Sequence, residues 1–170
     1  GPEGAWTEFD GRNVFLGGLS GGAILNHNFT VGLAAYGILN SRNLWFSNVD
    51  TRDSLGAYLY GGYGGFRFEY KLFPKAPVHL SFPLTIGGGG LVYNTWAYSS
   101  NGKDYDGSTL DWDAFFVVEP GVMLELNLVK FMRLDAGVSY RYTPDLDLMN
   151  TPAGLINKVN VNLSLKFGRF

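Results

Sequence analysis

The chain has 170 residues, with 13 Lys and Arg against 15 Asp and Glu, and its net charge of −2 includes no basic block suited to nucleic acid. It contains no Cys, which excludes a disulfide scaffold, thiolate metal sites and a lipidated Cys in this chain. Aromatics reach 16% and glycines number 24, and a mean hydropathy of only +0.01 is what a chain gives when half of each strand faces an apolar medium and half does not.

At this length one domain is expected, covering residues 1–170. No basic n-region or small-residue cleavage site opens the sequence, so an exported protein is expected here in its mature form. Residues 14–41 and 78–102 carry no Asp, Glu, Lys or Arg and are long enough for membrane helices. The first is broken by Asn26-His27-Asn28 and the second holds Pro83 and the run from Gly87 to Gly90, so both read as strands.

Eight strands are predicted in chain order. The first, residues 4–9, is short, and Asp10-Gly11-Arg12-Asn13 turns the chain. The second covers 14–25 and the third 29–39, joined by Asn26-His27-Asn28. A polar loop over 40–54 leads to a long fourth strand, 55–72, with Tyr58, Tyr60, Phe66, Phe68 and Tyr70 on one face and Arg67, Glu69 and Lys71 on the other. After the turn at 73–77, the fifth strand sets Leu80, Phe82, Leu84 and Ile86 against His79, Ser81 and Thr85, and runs to about 96. A loop over 97–110 precedes the sixth strand, 111–126, where Trp112, Phe116, Val118, Val122 and Leu124 oppose Asp113, Glu119 and Glu125. The seventh, 131–143, alternates most cleanly: Met132, Leu134, Ala136, Val138, Tyr140 and Tyr142 against Arg133, Asp135, Gly137, Ser139 and Arg141. A loop at 144–154 precedes the last strand, where Val159, Val161, Leu163, Leu165 and Phe167 oppose Lys158, Asn160, Asn162, Ser164 and Lys166.

The connections alternate too. Those near 26–28, 73–77 and 128–130 are short, whereas those at 40–54, 97–110 and 144–154 are long. Short turns at one end and long loops at the other mark bacterial outer-membrane barrels, with both termini on the short-turn side. A soluble lipocalin-like barrel shares the period of two, with the apolar face inward. Tyr58, Tyr60, Phe66, Phe68, Tyr70, Trp112 and Phe116 would overfill an eight-stranded interior, whereas the opposite face is rich in Gly, Ser and paired charges. The fold class is therefore all-β: an eight-stranded antiparallel up-and-down transmembrane β-barrel. Trp6, Trp45, Trp96 and Trp112 are expected near its membrane interfaces.

With the apolar face outward, Arg67, Arg133, Arg141, Lys158 and Lys166 meet Glu69, Asp113, Glu119, Glu125 and Asp135 inside the barrel. Buried charges must be paired, and these five cations and five acids allow it. The network is expected to fill and rigidify a polar lumen; the alternative is a narrow solute or ion conduit, for which eight strands leave little room.

The stretches GGLSGGAILNHNFTVGLAAYGILN, HLSFPLTIGGGGLVY, FFVVEPGVMLELNLVKFMRLDAGVSYRY and the ending LSLKFGRF resemble a family of small outer-membrane β-barrel proteins of Bacteroidota and related bacteria. The resemblance runs from about Gly11 to Phe170 and implies the fold and an outer-membrane location, with no assigned reaction. One departure is that Phe170 shares parity with Lys166 and Ser164, whereas the apolar set ends at Phe167; a bulge near Gly168 would restore the usual parity.

His79 and Ser81 share a face at the spacing used by membrane-embedded lipid A deacylases, but that face is the lumen side, so a hydrogen-bonded lumen pair is expected and no catalytic residue. Asp104-Tyr105-Asp106-Gly107-Ser108 opens like a calcium loop yet lacks the downstream bidentate Glu, so a solvated loop and no metal are expected. The Gly runs lack the Lys-Ser/Thr of a phosphate loop and read as bends or close strand approach. The expected role is a non-enzymatic structural or accessory outer-membrane protein, the subunit of a larger complex, with a lipid-modifying enzyme or a narrow channel as alternatives. Expected partners are membrane lipids and lipopolysaccharide, an outer-membrane protein partner, and periplasmic chaperones with the barrel-assembly machinery during biogenesis. No nucleic acid and no cofactor are expected.

Overall fold

The structure is a computed structural model that describes residues 1–168 except 27, 51–54, 74–75, 96–97, 101–102, 106–108, 145 and 153. Its strands are β1 (Pro2–Phe9), β2 (Arg12–Leu25), β3 (Phe29–Ile38), β4 (Trp45–Asp50), β5 (Leu55–Leu72), β6 (Val78–Asn94), β7 (Tyr98–Ser100), β8 (Lys103–Tyr105), β9 (Thr109–Val129), β10 (Met132–Tyr140) and β11 (Val159–Phe167). Eight of these, β1-β2-β3-β5-β6-β9-β10-β11, pair antiparallel in that order, and β11 returns to β1 to close an up-and-down barrel. β4 extends the edge of β5 beyond the barrel, and β7 pairs with β8 as a separate hairpin. No helix among the described residues is long and apolar enough to cross a membrane.

Local chemistry sets the corners. Asp10 (φ 47°) and Gly11 (φ 74°) are both left-handed, the requirement of a two-residue turn whose twist matches the strands it joins. β1 is the strand that the sequence signalled least. It pairs with β2 along its whole length and with β11 from Glu3↔Ser164 to Trp6↔Val161. The three short connections, 26–28, 73–77 and 130–131, lie at one end of the barrel; the long ones, 39–54, 95–108 and 141–158, lie at the other, beside the tight β1–β2 turn.

The alternation places bulky apolar side chains outside. Phe66, Phe116, Leu124, Leu163 and Phe167 are exposed, whereas their neighbours Arg67, Val117, Glu125 and Ser164 are buried. Trp6, Trp45, Trp112, Tyr140 and Tyr142 are exposed toward the long-loop end, and Phe29, Tyr70, Phe73, Phe131 and Phe167 toward the short-turn end. Trp96 and His27 lie outside the described residues. Tyr58 and Tyr70 share a face of β5 and are twelve residues apart. That is roughly 40 Å of strand, or about 30 Å of depth after barrel tilt, matching a hydrocarbon layer.

Glycines let the walls approach. A Cβ on Gly87 would lie 2.1 Å from the Gly64 carbonyl oxygen, and one on Gly89 would lie 2.6 Å from the Phe115 ring. The Gly-rich centre of β5 and β6 thus makes room for neighbouring backbone and for inward rings.

The lumen is not polar throughout, contrary to the sequence expectation. Toward the long-loop end it is apolar: Phe9, Val14, Leu16, Leu59, Leu91, Tyr93, Phe115 and Val117 point inward and are buried with Leu44, Val49, Leu146, Leu148, Leu155 and Ile156 from the loops. There both faces of the strands are apolar, as in Phe115-Phe116-Val117-Val118, so the alternation that marked the lumen disappears.

Candidate functional site in the barrel lumen

Toward the short-turn end the inward positions carry charge. Glu125 on β9 is fully buried and is the hub. Its Oε1 accepts from Lys71 Nζ at 3.1 Å and Arg133 Nη1 at 2.5 Å and lies 3.0 Å from His79 Nε2; its Oε2 accepts from Lys166 Nζ at 2.9 Å. Lys166 also donates to both oxygens of Glu69 at 2.8 Å and pairs with Asp135. Next up the barrel, Arg67 Nη1 donates to Glu3 at 3.0 Å and to the Tyr36 hydroxyl at 2.7 Å, while the hydroxyls of Tyr36 and Ser20 donate to Glu3. These groups come from β1, β2, β3, β5, β6, β9, β10 and β11, so the network ties opposite walls together.

Oxygens of Glu69, Glu125 and Asp135 lie within 4.8 Å of one another, a spacing that suits a metal ion. The Lys166 ammonium, within ion-pair distance of all three carboxylates, already serves as their cation.

Above this lies a second layer. Glu119 accepts from the Tyr63 hydroxyl at 2.6 Å, Ser139 Oγ at 2.6 Å and Asn160 Nδ2 at 3.1 Å. Arg141 is almost fully buried, and among the described residues no carboxylate lies within 4 Å of it. Its guanidinium stands over the Phe9 ring (5.3 Å) and the Tyr63 ring (5.1 Å), and its Nε donates to the Ile156 carbonyl at 3.0 Å. Aromatic faces and a backbone oxygen stabilise the cation where the polar lumen meets the apolar cap.

The segment 141–158 is strapped across the mouth. Thr143 donates through both its N–H and its hydroxyl to Asn157 Oδ1, each at 2.7 Å. Asp113 and Asp111 accept the backbone N–H groups of Asp147 (2.8 Å) and Met149 (2.7 Å), and the residues just before each, Leu146 and Leu148, are buried. Loop side chains thereby close the lumen from above.

Of the residues expected in one lumen network, the structure brings together Arg67, Glu69, Glu125, Arg133, Asp135 and Lys166, sets Glu119 and Arg141 in the layer above, and places two elsewhere. Asp113 lies at the rim and holds the strap, because β9 has there passed from barrel wall to mouth. Lys158 is half-buried just before β11 and takes part through its backbone carbonyl, which accepts the Arg141 N–H. Two missed residues replace them. Glu3 precedes the predicted start of the first strand, and Lys71 shares parity with Arg67 and Glu69 at the end of β5. The lumen thus still balances five carboxylates (Glu3, Glu69, Glu119, Glu125, Asp135) against five cations (Arg67, Lys71, Arg133, Arg141, Lys166) among the described residues.

His79 and Ser81 do not form the expected hydrogen-bonded pair. His79 Nδ1 lies 2.9 Å from the Ala76 carbonyl and Nε2 faces Glu125, whereas Ser81 Oγ is buried with no hydrogen-bond partner. The calcium-loop likeness rests on residues 106–108, and the terminal parity on Phe170; both lie outside the described residues.

An oily exterior, two aromatic girdles and a filled lumen define a small transmembrane β-barrel of the eight-stranded class. The crystal structure of Neisserial surface protein A (NspA) is similar with a TM-score of 0.55 and 16% identity, over 96% of this chain and 89% of that one. The attachment invasion locus protein Ail of Yersinia pestis, crystallised with the heparin analogue sucrose octasulfate, is similar with a TM-score of 0.48 and 14% identity, over 98% of this chain and 93% of its own. The NspA likeness shows the shared fold. No protein-family model matches the sequence, and no curated protein matches it.

Proposed function

We propose that this chain is an integral protein of a bacterial outer membrane with a structural or accessory role, acting through its long loops on an outer-membrane partner or on surface glycan and lipopolysaccharide. The attribution to Bacteroidota rests on the sequence stretches that resemble that group's small barrels. The observation that carries the reading is the closed lumen. Loop side chains of Leu44, Val49, Leu146, Leu148, Leu155 and Ile156 cap an apolar upper half, and paired charges occupy the lower half. A lumen plugged at the long-loop end by an apolar cap does not support a conduit through the barrel, and the His79 and Ser81 side chains face inward, away from lipid. What remains available for recognition is the long-loop end.

The test is fractionation followed by gentle detergent capture from native membranes. The protein is expected in the outer-membrane fraction, to shift mobility on a gel when heated, and to bring down another membrane protein in a loop-dependent way. Recovery of this chain strictly alone would contradict the accessory role, and steady conductance in planar bilayers would contradict the closed lumen.

A further inference from the structure

The main sheet closes on itself except at β4. This strand pairs with β5 on one side, and on its other side no strand among the described residues joins it. The Leu59 N–H bonds to the Leu44 carbonyl at 3.0 Å, and Phe46 stands opposite Ala57. Bonded and non-bonded pairs alternate along an antiparallel ladder, so the backbone N–H and C=O groups of Trp45 and Ser47 point away from β5. The side chains of both residues are exposed.

The edge is preformed. Leu44 and Val49 are buried in the cap, the Phe46 ring meets Tyr93 edge-on at 5.8 Å, and the Arg12 guanidinium stands 4.5 Å from the Phe46 centroid. The Asn150 side-chain amide donates to the Val49 carbonyl at 3.2 Å. A strand held this firmly loses little freedom when another chain pairs with it. Exposed edges are commonly guarded by Lys or Pro, and Trp45–Asp50 (WFSNVD) has neither.

Charge selects the occupant. The lumen takes five carboxylates and five cations, and by chain position Lys75, Lys130 and Arg169 belong to the short-turn end, which has no acid. Of the 15 acids and 13 cations in the chain, ten acids and only five cations therefore remain for the long-loop end. Such a rim repels anionic glycan and a second copy of itself, and attracts a cationic partner.

We propose that β4 is the docking edge for an extended, Lys- or Arg-bearing segment of a partner protein, which adds a strand to the sheet. Trp45, with its ring 4.8 Å from that of Tyr58, is the aromatic anchor of the contact. This inference rests on the loop-end recognition proposed above and names the chemistry of the partner.

The probes are a synthetic peptide of alternating Lys and Val, its Glu–Val counterpart, and heparin, each titrated into the detergent-solubilised barrel. Ser47→Pro removes an outward N–H, and Trp45→Ala removes the anchor; heat-modifiable gel mobility checks that both variants fold. The Lys–Val peptide is expected to bind, to slow hydrogen exchange at the Trp45 and Ser47 amides, and to bind each variant about tenfold more weakly, the worth of one lost hydrogen bond or contact. No binding of the Lys–Val peptide, equal binding of the Glu–Val peptide, a preference for heparin, or binding that both folded variants leave unchanged overturns the proposal. Because the titration uses purified protein, its failure beside a successful capture from membranes removes the docking edge alone, whereas a failed capture beside peptide binding removes the accessory role.

Discussion

The two halves of the lumen are filled by opposite chemistries. At the short-turn end, Glu125 alone meets four nitrogen-bearing side chains, and ionic groups fill this half. At the long-loop end Leu59, Val117 and Val14 are wholly buried beneath Leu155 and Ile156. The difference follows from what each half is built of. The lower half has only barrel strands, whose inward residues must reach across the lumen, and long ionic side chains do so while tying the walls together. The upper half borrows side chains from folded-in loops, so it packs as an ordinary apolar core.

The largest expected effect is at the hub. Glu125→Leu strands Lys71, Arg133 and Lys166 without a shared acceptor and is expected to destabilise the folded barrel by about 3–5 kcal/mol, read from urea unfolding in detergent. Leu59→Ala, in the cap, is expected to cost about 3 kcal/mol by leaving a cavity. Equal, small losses at both positions would mean that the halves are not distinct. Arg141→Met lies on the boundary and breaks a cation–π clamp and the bond to Ile156; about 1–2 kcal/mol is expected, with faster proteolysis of segment 141–158. The smallest effect belongs to Ser81→Ala, which removes a hydroxyl without a partner, and stability is expected to stay within about 0.5 kcal/mol or rise.

The comparison also explains what was legible in the sequence. Wherever charge alternated with oil, as in Met132 to Tyr142, both the strand and its inward face could be read directly, and the eight barrel strands lie within a few residues of their predicted bounds. The apolar cap was invisible because inward Phe115 and Val117 stand beside outward Phe116 and Val118, which erases the period of two. Leu146 and Leu148 lie in a segment with loop composition, and only the fold shows that Asp111 and Asp113 draw it across the mouth. Lys71 was within reach by parity; Glu3 was not, because a Gly and a Pro flank it.

The central claim is that the oily stripes face hydrocarbon and the charged ones face inward. The chain contains no Cys, so single cysteines can be placed without background at 66 and 67 on β5 and at 124 and 125 on β9, then labelled with a fluorophore in lipid vesicles. Quenching by doxyl-labelled lipid is expected to be strong at 66 and 124 and weak at 67 and 125. Strong quenching at 67 and 125 with protection at 66 and 124 would turn the barrel inside out and contradict the account.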